Sequence, residues 1–419
     1  MKEIKATIRK FLPQATTFLK ELISFPSISG QGEETIQGFI ADKFSQFGRV
    51  EKIAIPDSLK KDPEYTFAAK ELDYSRRYNV VLHYPSSSQN PSLIINSHSD
   101  VVDAPDWPEA FTALVKDSFV FGRGACDAKG HLATIYLTLL ALKDLQVKLK
   151  GPVQVQSVIE EEVGGNGSLS LIRQGYRADA AIVLESTDLK IMAANRGAVW
   201  FAFEVEGRSV HMGKSYEGVN AIEKACVFMK AMRAYEQRLI AESRNVPLFE
   251  NYTQPVQVNF GTITGPGWPS MVCGKVVLEG GVGFLPNKTI SQVKKEVTEV
   301  AKNCGDEWIA THHRLSFDKL HNDAYAIDPG HPIVKTMEKA VLRAGMKPEV
   351  SGFIVSCDAR LFHRVGGMPS VVFGAGSISD AHSSTEKIDL EQICLAAEIL
   401  FHTICFWCQA APNKFSLES

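Results

Sequence analysis

The hydrophobic period of this chain changes twice, and that double change limits the possible folds more than any other feature. Up to about Leu189, helical and strand-like stretches alternate. Residues 8–23, 33–47 and 131–145 carry apolar side chains at helical spacing, while 78–83, 92–96, 153–159 and 180–184 read as strands. Residues 199–317 then follow a different order: strand 199–205, helix 219–242, strands 257–263 and 275–284, helix 290–304, strand 311–317. That is βαββαβ, the order of a ferredoxin-like sandwich. The α/β alternation resumes with a helix at 332–344, a buried strand at 370–373 and a terminal helix at 390–405. The economical reading is one α/β domain with a mixed or parallel sheet covered on both faces. It spans 1–192 and 319–419, with a smaller module, 193–318, inserted into it.

Composition narrows the class further. The chain has 419 residues, room for two or three domains. A hydrophobic share of 45% excludes a largely disordered chain, and a formal charge of −3 lacks the basic surplus of a nucleic-acid binder. The most apolar late stretch, 394–408, is interrupted by Glu398 and His402 and falls short of the roughly 20 residues a spanning helix needs. The N-terminus alternates charged and apolar residues and lacks the apolar core of a signal peptide. The expectation is a cytoplasmic protein with no membrane partner. Of the eight cysteines, Cys405 and Cys408 form a C-x-x-C, but inside an apolar helical run, which reads as core packing.

Five separated segments end in groups that can bind a metal. The strand Leu93-Ile94-Ile95-Asn96-Ser97 runs into His98-Ser99-Asp100. Gly122-Arg123-Gly124 leads to Asp127, Ala128 and Lys129. An alternating strand ends in Glu160-Glu161-Glu162 and then Gly164-Gly165. Ile182-Val183-Leu184 ends in Glu185, and Ala381-His382 follows the strand at Val371 with Glu386 four residues on. Singly, each has a plain reading: a polar strand end, a helix cap at Asp127, a solvated charge run, a surface loop. Ligands of open α/β sheets collect beyond the carboxyl ends of strands. Two histidines and three carboxylates would suit two zinc-like ions with one carboxylate shared. Adjacent carboxylates repel, so without a cation their pKa values should rise.

Taken in this order, the motifs resemble those of the zinc-dependent aminoacylase and carboxypeptidase family, of the acetylornithine deacetylase, succinyl-diaminopimelate desuccinylase and glutamate carboxypeptidase type. The resemblance implies a mixed-sheet metallohydrolase domain carrying an inserted ferredoxin-like lid and dimerisation domain. It implies His98 and Glu185 on one metal, Glu162 and His382 on the other, Asp127 between them, and a cis peptide after Asp127. It gives Glu161 the role of general base and Asp100 that of the acid orienting His98. Gly207-Arg208-Ser209-Val210-His211-Met212-Gly213 matches the family's lid signature, so His211 is expected to reach a partner subunit's active site in a homodimer. The implied cofactor is a pair of divalent ions, Zn²⁺ or else Co²⁺ or Mn²⁺. The implied reaction is hydrolysis of a small amide, foremost deacylation of an N-acyl amino acid, with a dipeptidase or carboxypeptidase as the alternative. A non-catalytic metal-binding protein fits less well, because a binding site needs no base at Glu161.

The lid departs from the family at two points. Ser270 stands at an asparagine position, and Gly283 stands where the family carries an arginine that grips a substrate carboxylate. Arg196, Lys214 or Arg360, the last within Cys357-Asp358-Ala359-Arg360, is then the candidate replacement. Arg196, Ser270 and Arg360 are accordingly the expected substrate contacts.

Overall fold

The computed structural model describes residues 2–67, 72–88 and 91–410. Nine strands form the large sheet, in the order Arg49–Ala54, Tyr78–Tyr84, Val153–Val158, Leu93–His98, Ala180–Leu184, Ser370–Phe373, Ile191–Asn195 and Tyr325–Ala326, with Val350–Phe353 also paired to Ile191–Asn195. The four strands from Val153–Val158 to Ser370–Phe373 are mutually parallel, whereas Tyr78–Tyr84 runs antiparallel to both its neighbours, Arg49–Ala54 and Val153–Val158, so the sheet is mixed. Leu93–His98, Ala180–Leu184 and Ser370–Phe373 are buried at every residue, as continuous apolar runs covered on both faces should be.

Helices Lys2–Ile23, Lys129–Asp144, Pro332–Arg343 and Leu390–Trp407 pack against one another around this sheet. Leu390–Trp407 is long and apolar enough to cross a membrane by length and composition alone, but 67% of it is buried within the protein. Cys405 and Cys408 lie inside that core, as free thiols.

The inserted module is a second, antiparallel sheet in the order Val258–Thr264, Lys275–Phe284, Gly197–Glu206, His313–Ser316. Numbered by chain order within the module, the sheet reads 2-3-1-4, the ferredoxin-like arrangement. Val199, Phe201, Phe203 and Val205 are buried, and they share a core with helices Ala221–Ser243 and Ile290–Lys302. The alternate residues Ala198, Trp200 and Ala202 point to the face the helices leave open. Asn220 caps the first helix by accepting the Ile222 N–H at 3.0 Å, and Thr289 with Gln292 forms a capping box on the second.

Two expectations shift. The strand expected at 311–317 is shorter, because Asp306 caps a helix, Glu307–His312, that ends only where His313–Ser316 begins. Ile191–Asn195 pairs within the large sheet, and His321–Asn322 pairs with the module's Gly197–Glu206. The chain therefore crosses into the module after Asn195 and back before Tyr325, a few residues later than 193 and 318 at each end.

Candidate metal centre

Sheet order explains why distant motifs converge. Val153–Val158, Leu93–His98, Ala180–Leu184 and Ser370–Phe373 are neighbours and parallel, so their carboxyl ends lie along one edge. His98, Glu160 to Glu162, Glu185 and the loop to His382 all leave from that edge. A small third sheet pairs Lys387–Asp389 with Phe119–Phe121 and so ties the Asp127 loop to the His382 loop.

At the centre lies Asp127. Its Oδ1 is 3.1 Å from His98 Nε2, and its Oδ2 is 3.2 Å from His382 Nε2. Glu185 Oε1 is 3.7 Å from His98 Nε2, and Glu162 Oε2 is 3.1 Å from His382 Nε2. Two trios result, His98–Asp127–Glu185 and Asp127–Glu162–His382, each with ligand atoms within 4.8 Å of one another. Metal–ligand bonds of about 2 Å put tetrahedral ligand atoms ~3.3 Å apart, so both trios are close to holding size. All five expected ligands are brought together, with one oxygen of Asp127 turned to each histidine. Asp127 does not cap the following helix; Ala128 occupies the cap position. The Asp127–Ala128 peptide is cis.

The electrostatics follow from the crowding. Burial and neighbouring acids raise the pKa of Glu161 and Glu185 well above the carboxylate range and push Glu162 up to about 7. Asp127, hydrogen-bonded to both histidines, is instead held low, and His382 is raised to about 10 by Asp127 and Glu162. A cluster with this much unrelieved negative charge is a site for cations.

A second layer holds these groups. Asp100 is fully buried, with its backbone C=O 2.9 Å and its carboxylate 3.5 Å from His98 Nδ1. The same carboxylate accepts the Glu161 and Glu162 N–H groups at 3.2 Å each and the Ser29 hydroxyl at 2.5 Å. Asp100 therefore aims both the first histidine and the carboxylate pair. Glu161 belongs to neither trio; it precedes the trio member Glu162 in the chain, and its N–H is held on Asp100 at 3.2 Å.

Two anchors have no role in the reading of the sequence. Buried Glu386 accepts the N–H groups of Cys126 and Asp127 at 3.0 and 3.1 Å and takes Arg123 Nη1 at 2.7 Å. Arg123 sits in the Gly-Arg-Gly segment and Glu386 four residues after His382, so two motifs each supplied half of an ion pair. Glu160 is held by Arg77 Nη2 at 2.7 Å, Tyr74 at 2.8 Å and Asn166 at 2.9 Å.

The remaining expected residues lie elsewhere. Arg360 is buried, with Nη2 donating to Gly164 C=O at 3.0 Å and Nη1 3.3 Å from Glu64. Its position beside the loop after Glu162 keeps it near the centre, though its charge is already paired. His211 is exposed on the module and belongs to neither trio; its Nδ1 accepts the Gly213 N–H at 3.2 Å. Ser270 neighbours it, its C=O accepting the Met212 N–H at 2.8 Å. Arg196 lines a cavity on the module's open face.

This fold and donor set define a metallohydrolase, and residues 94–405 match the profile of peptidase family M20/M25/M40. The chain belongs to that family. It is 26% identical over 423 aligned positions to an N-formyl-4-amino-5-aminomethyl-2-methylpyrimidine deformylase of Bacillus subtilis, covering 94% of this chain and 95% of that one. Among solved structures, a dipeptidase from Saccharomyces cerevisiae superposes with a TM-score of 0.76 at 16% identity, covering 98% and 99% of the two chains. A tripeptidase from Staphylococcus aureus does so with 0.75 at 20%, covering 95% and 99%. The likeness to these two structures is one of fold.

Proposed function

We propose that the protein hydrolyses small amides at a paired metal centre and that its substrate is an N-acyl amino acid. The observation that carries this reading is Asp127, shared between two trios, with Glu161, a member of neither, next to the trio member Glu162 and anchored by its N–H on Asp100. Imidazole and carboxylate donors at this spacing fit Zn²⁺, and also Co²⁺ or Mn²⁺. Members of the family hold a dinuclear metal. Such a pair, when bound, supplies Lewis acidity and a water of lowered pKa.

The chain's own residues do the rest. Asp100 fixes the ring of His98 and, through two N–H groups, the backbone of Glu161 and Glu162. Glu161 takes a proton from the attacking water and passes it to the departing nitrogen, converting a poor amide anion into a neutral amine. Glu386 and Arg123 hold the backbone at Asp127 so that both its oxygens stay presented. His211, supplied by the module of a second copy, donates a hydrogen bond to the developing oxyanion. The module, about 193–318, then serves as lid and dimerisation domain, and closure excludes water from the amide.

Support for a deacylase comes from the bacterial relative, whose name describes removal of a formyl group, and which aligns over nearly the whole chain. The peptidases among the structural neighbours favour a second reading, cleavage of a dipeptide. Zn²⁺-loaded protein assayed on N-acetyl amino acids and on dipeptides with the same amine-side residue separates the two. The proposal expects faster turnover of the acetylated series. Preference for dipeptides would give the second reading, and no turnover of either would reject both.

A further inference from the structure

The open face of the module's sheet carries a cavity of about 400 Å³ that the metal centre does not account for. That is the size of a small-molecule pocket. Its floor is stripped of side chains: Gly281 and Gly283 face it beside Ala198. Each glycine makes room for a particular neighbour. A Cβ on Gly283 would lie 2.9 Å from Arg196 Cζ, and one on Gly281 would lie 3.1 Å from Trp200 Cδ1. The missing side chains thus let one guanidinium and one indole lie flat against the strand. Arg196 and Trp200 come from the adjacent strand region and so stand side by side over positions 283 and 281.

The charge in the cavity is unbalanced in one place. Glu279 and Lys319, both at its wall, pair with each other at 2.7 Å. Arg196 is hydrogen-bonded to Gln257 through Nη1, and its Nε is buried without a partner. Among the described residues no carboxylate pairs with Arg196. Burial alone pushes its pKa down to about 10. One half-buried positive charge without a carboxylate partner leaves a place for one negative charge, and a planar fork fits a carboxylate. Trp200, 48% exposed, offers a ring edge and face to whatever enters. Positions 281 and 283 are two residues apart on a strand, ~7 Å, a span that the carboxylate and ring of one aromatic amino acid can bridge.

The cavity also adjoins the chemistry. The Arg196 N–H donates to Phe353 C=O at 2.9 Å, and Asn195 Oδ1 accepts the Cys357 N–H at 3.4 Å. On the far side of that segment, the Asp358 carboxylate packs against Gly165, where it leaves no room for a Cβ, and Arg360 Nη2 donates to Gly164 C=O at 3.0 Å, so the segment abuts the loop that follows Glu162.

We propose that this cavity is the amine-side subsite and selects a flat, ring-bearing carboxylate, so that the substrates are N-acyl aromatic amino acids, held by Arg196 and stacked on Trp200. The identification of the ligand as substrate rests on the deacylase reading; the binding chemistry does not.

The test uses the full-length, Zn²⁺-loaded Glu161→Gln protein and calorimetric binding of N-acetylphenylalanine, N-acetylphenylalaninamide and N-acetylglycine. The parent should bind N-acetylphenylalanine at least about tenfold more tightly than the amide and about 3- to 10-fold more tightly than N-acetylglycine. Arg196→Met should erase the first ratio and keep the second; Trp200→Ala should do the reverse. Gly281→Val, on the open face, should weaken the aromatic ligand only, which guards against a misfolded Arg196 variant. Ratios unchanged in all three variants would overturn the proposal. Intact ratios together with no turnover of any acylated amino acid by the wild-type protein would leave the pocket standing and sink the deacylase reading instead.

Discussion

Glu161 and Glu162 are adjacent in sequence and differ only in what they face. Glu162 meets His382 at 3.1 Å, while Glu161 joins neither ligand trio. Removing the charge at Glu161 while keeping its shape should therefore separate proton transfer from metal binding. Glu161→Gln should lower turnover by about 10²- to 10⁴-fold, with metal content by elemental analysis equal to wild type. Metal loss in that variant would make Glu161 a ligand. Asp100→Ala should do the opposite first, weakening metal affinity about 10- to 100-fold by removing the carboxylate that lies 3.5 Å from His98 and holds the Glu161 and Glu162 N–H groups; unchanged affinity in a chelator competition would remove the Asp100 carboxylate from the support of the site. The five residues of the two trios were singled out at the ends of strands and turns, whereas the roles of Glu161 and Asp100 came only from the resemblance to a family. The role of Glu386 was not legible, because it works through the N–H groups of Cys126 and Asp127, and a backbone contact leaves no pattern in a sequence.

At the scale of elements, the convergence depends on four parallel strands, which the inserted module interrupts in the chain. The long helices and the strands of the module were legible from period alone. Ile191–Asn195, Val350–Phe353 and the three-residue strands Leu114–Lys116 and Phe119–Phe121 were not, since so short a run shows no period and its partner lies far along the chain. The part in catalysis proposed for the module makes a sharp prediction. His211 is exposed and belongs to neither trio of its own chain, so His211→Ala should lose activity and keep its metal. Mixing the inactive Glu161→Gln and His211→Ala proteins under exchange conditions should restore activity, because one site of each mixed dimer then has both residues. A mixture as inactive as its components would reject a role across subunits.

For the whole molecule, the buried histidines make stability depend on acid. His402, 2% exposed in the helix Leu390–Trp407, is pushed down to about 4 by burial, with Arg343 and Lys5 adding to the effect. In the unfolded chain it titrates near 6.5. Its contribution is therefore present above pH 6.5 and is lost as the pH falls through about 4. The loss amounts to about 3 kcal/mol at most. Denaturant unfolding at pH 7 and pH 4.5 should show a smaller drop for His402→Leu than for wild type. Comparing the two proteins cancels the opposing contribution of buried Glu398, 3.9 Å away. An equal drop would mean His402 is protonated in the fold.

The shared aspartate remains the point on which the rest turns, and it can be counted. Chelator-stripped protein titrated with Zn²⁺ should take up two ions per chain, and Asp127→Ala, which removes a ligand from both trios, should not hold two. Saturation of the wild-type chain at a single ion, or two ions retained by the variant, would contradict a centre built around Asp127.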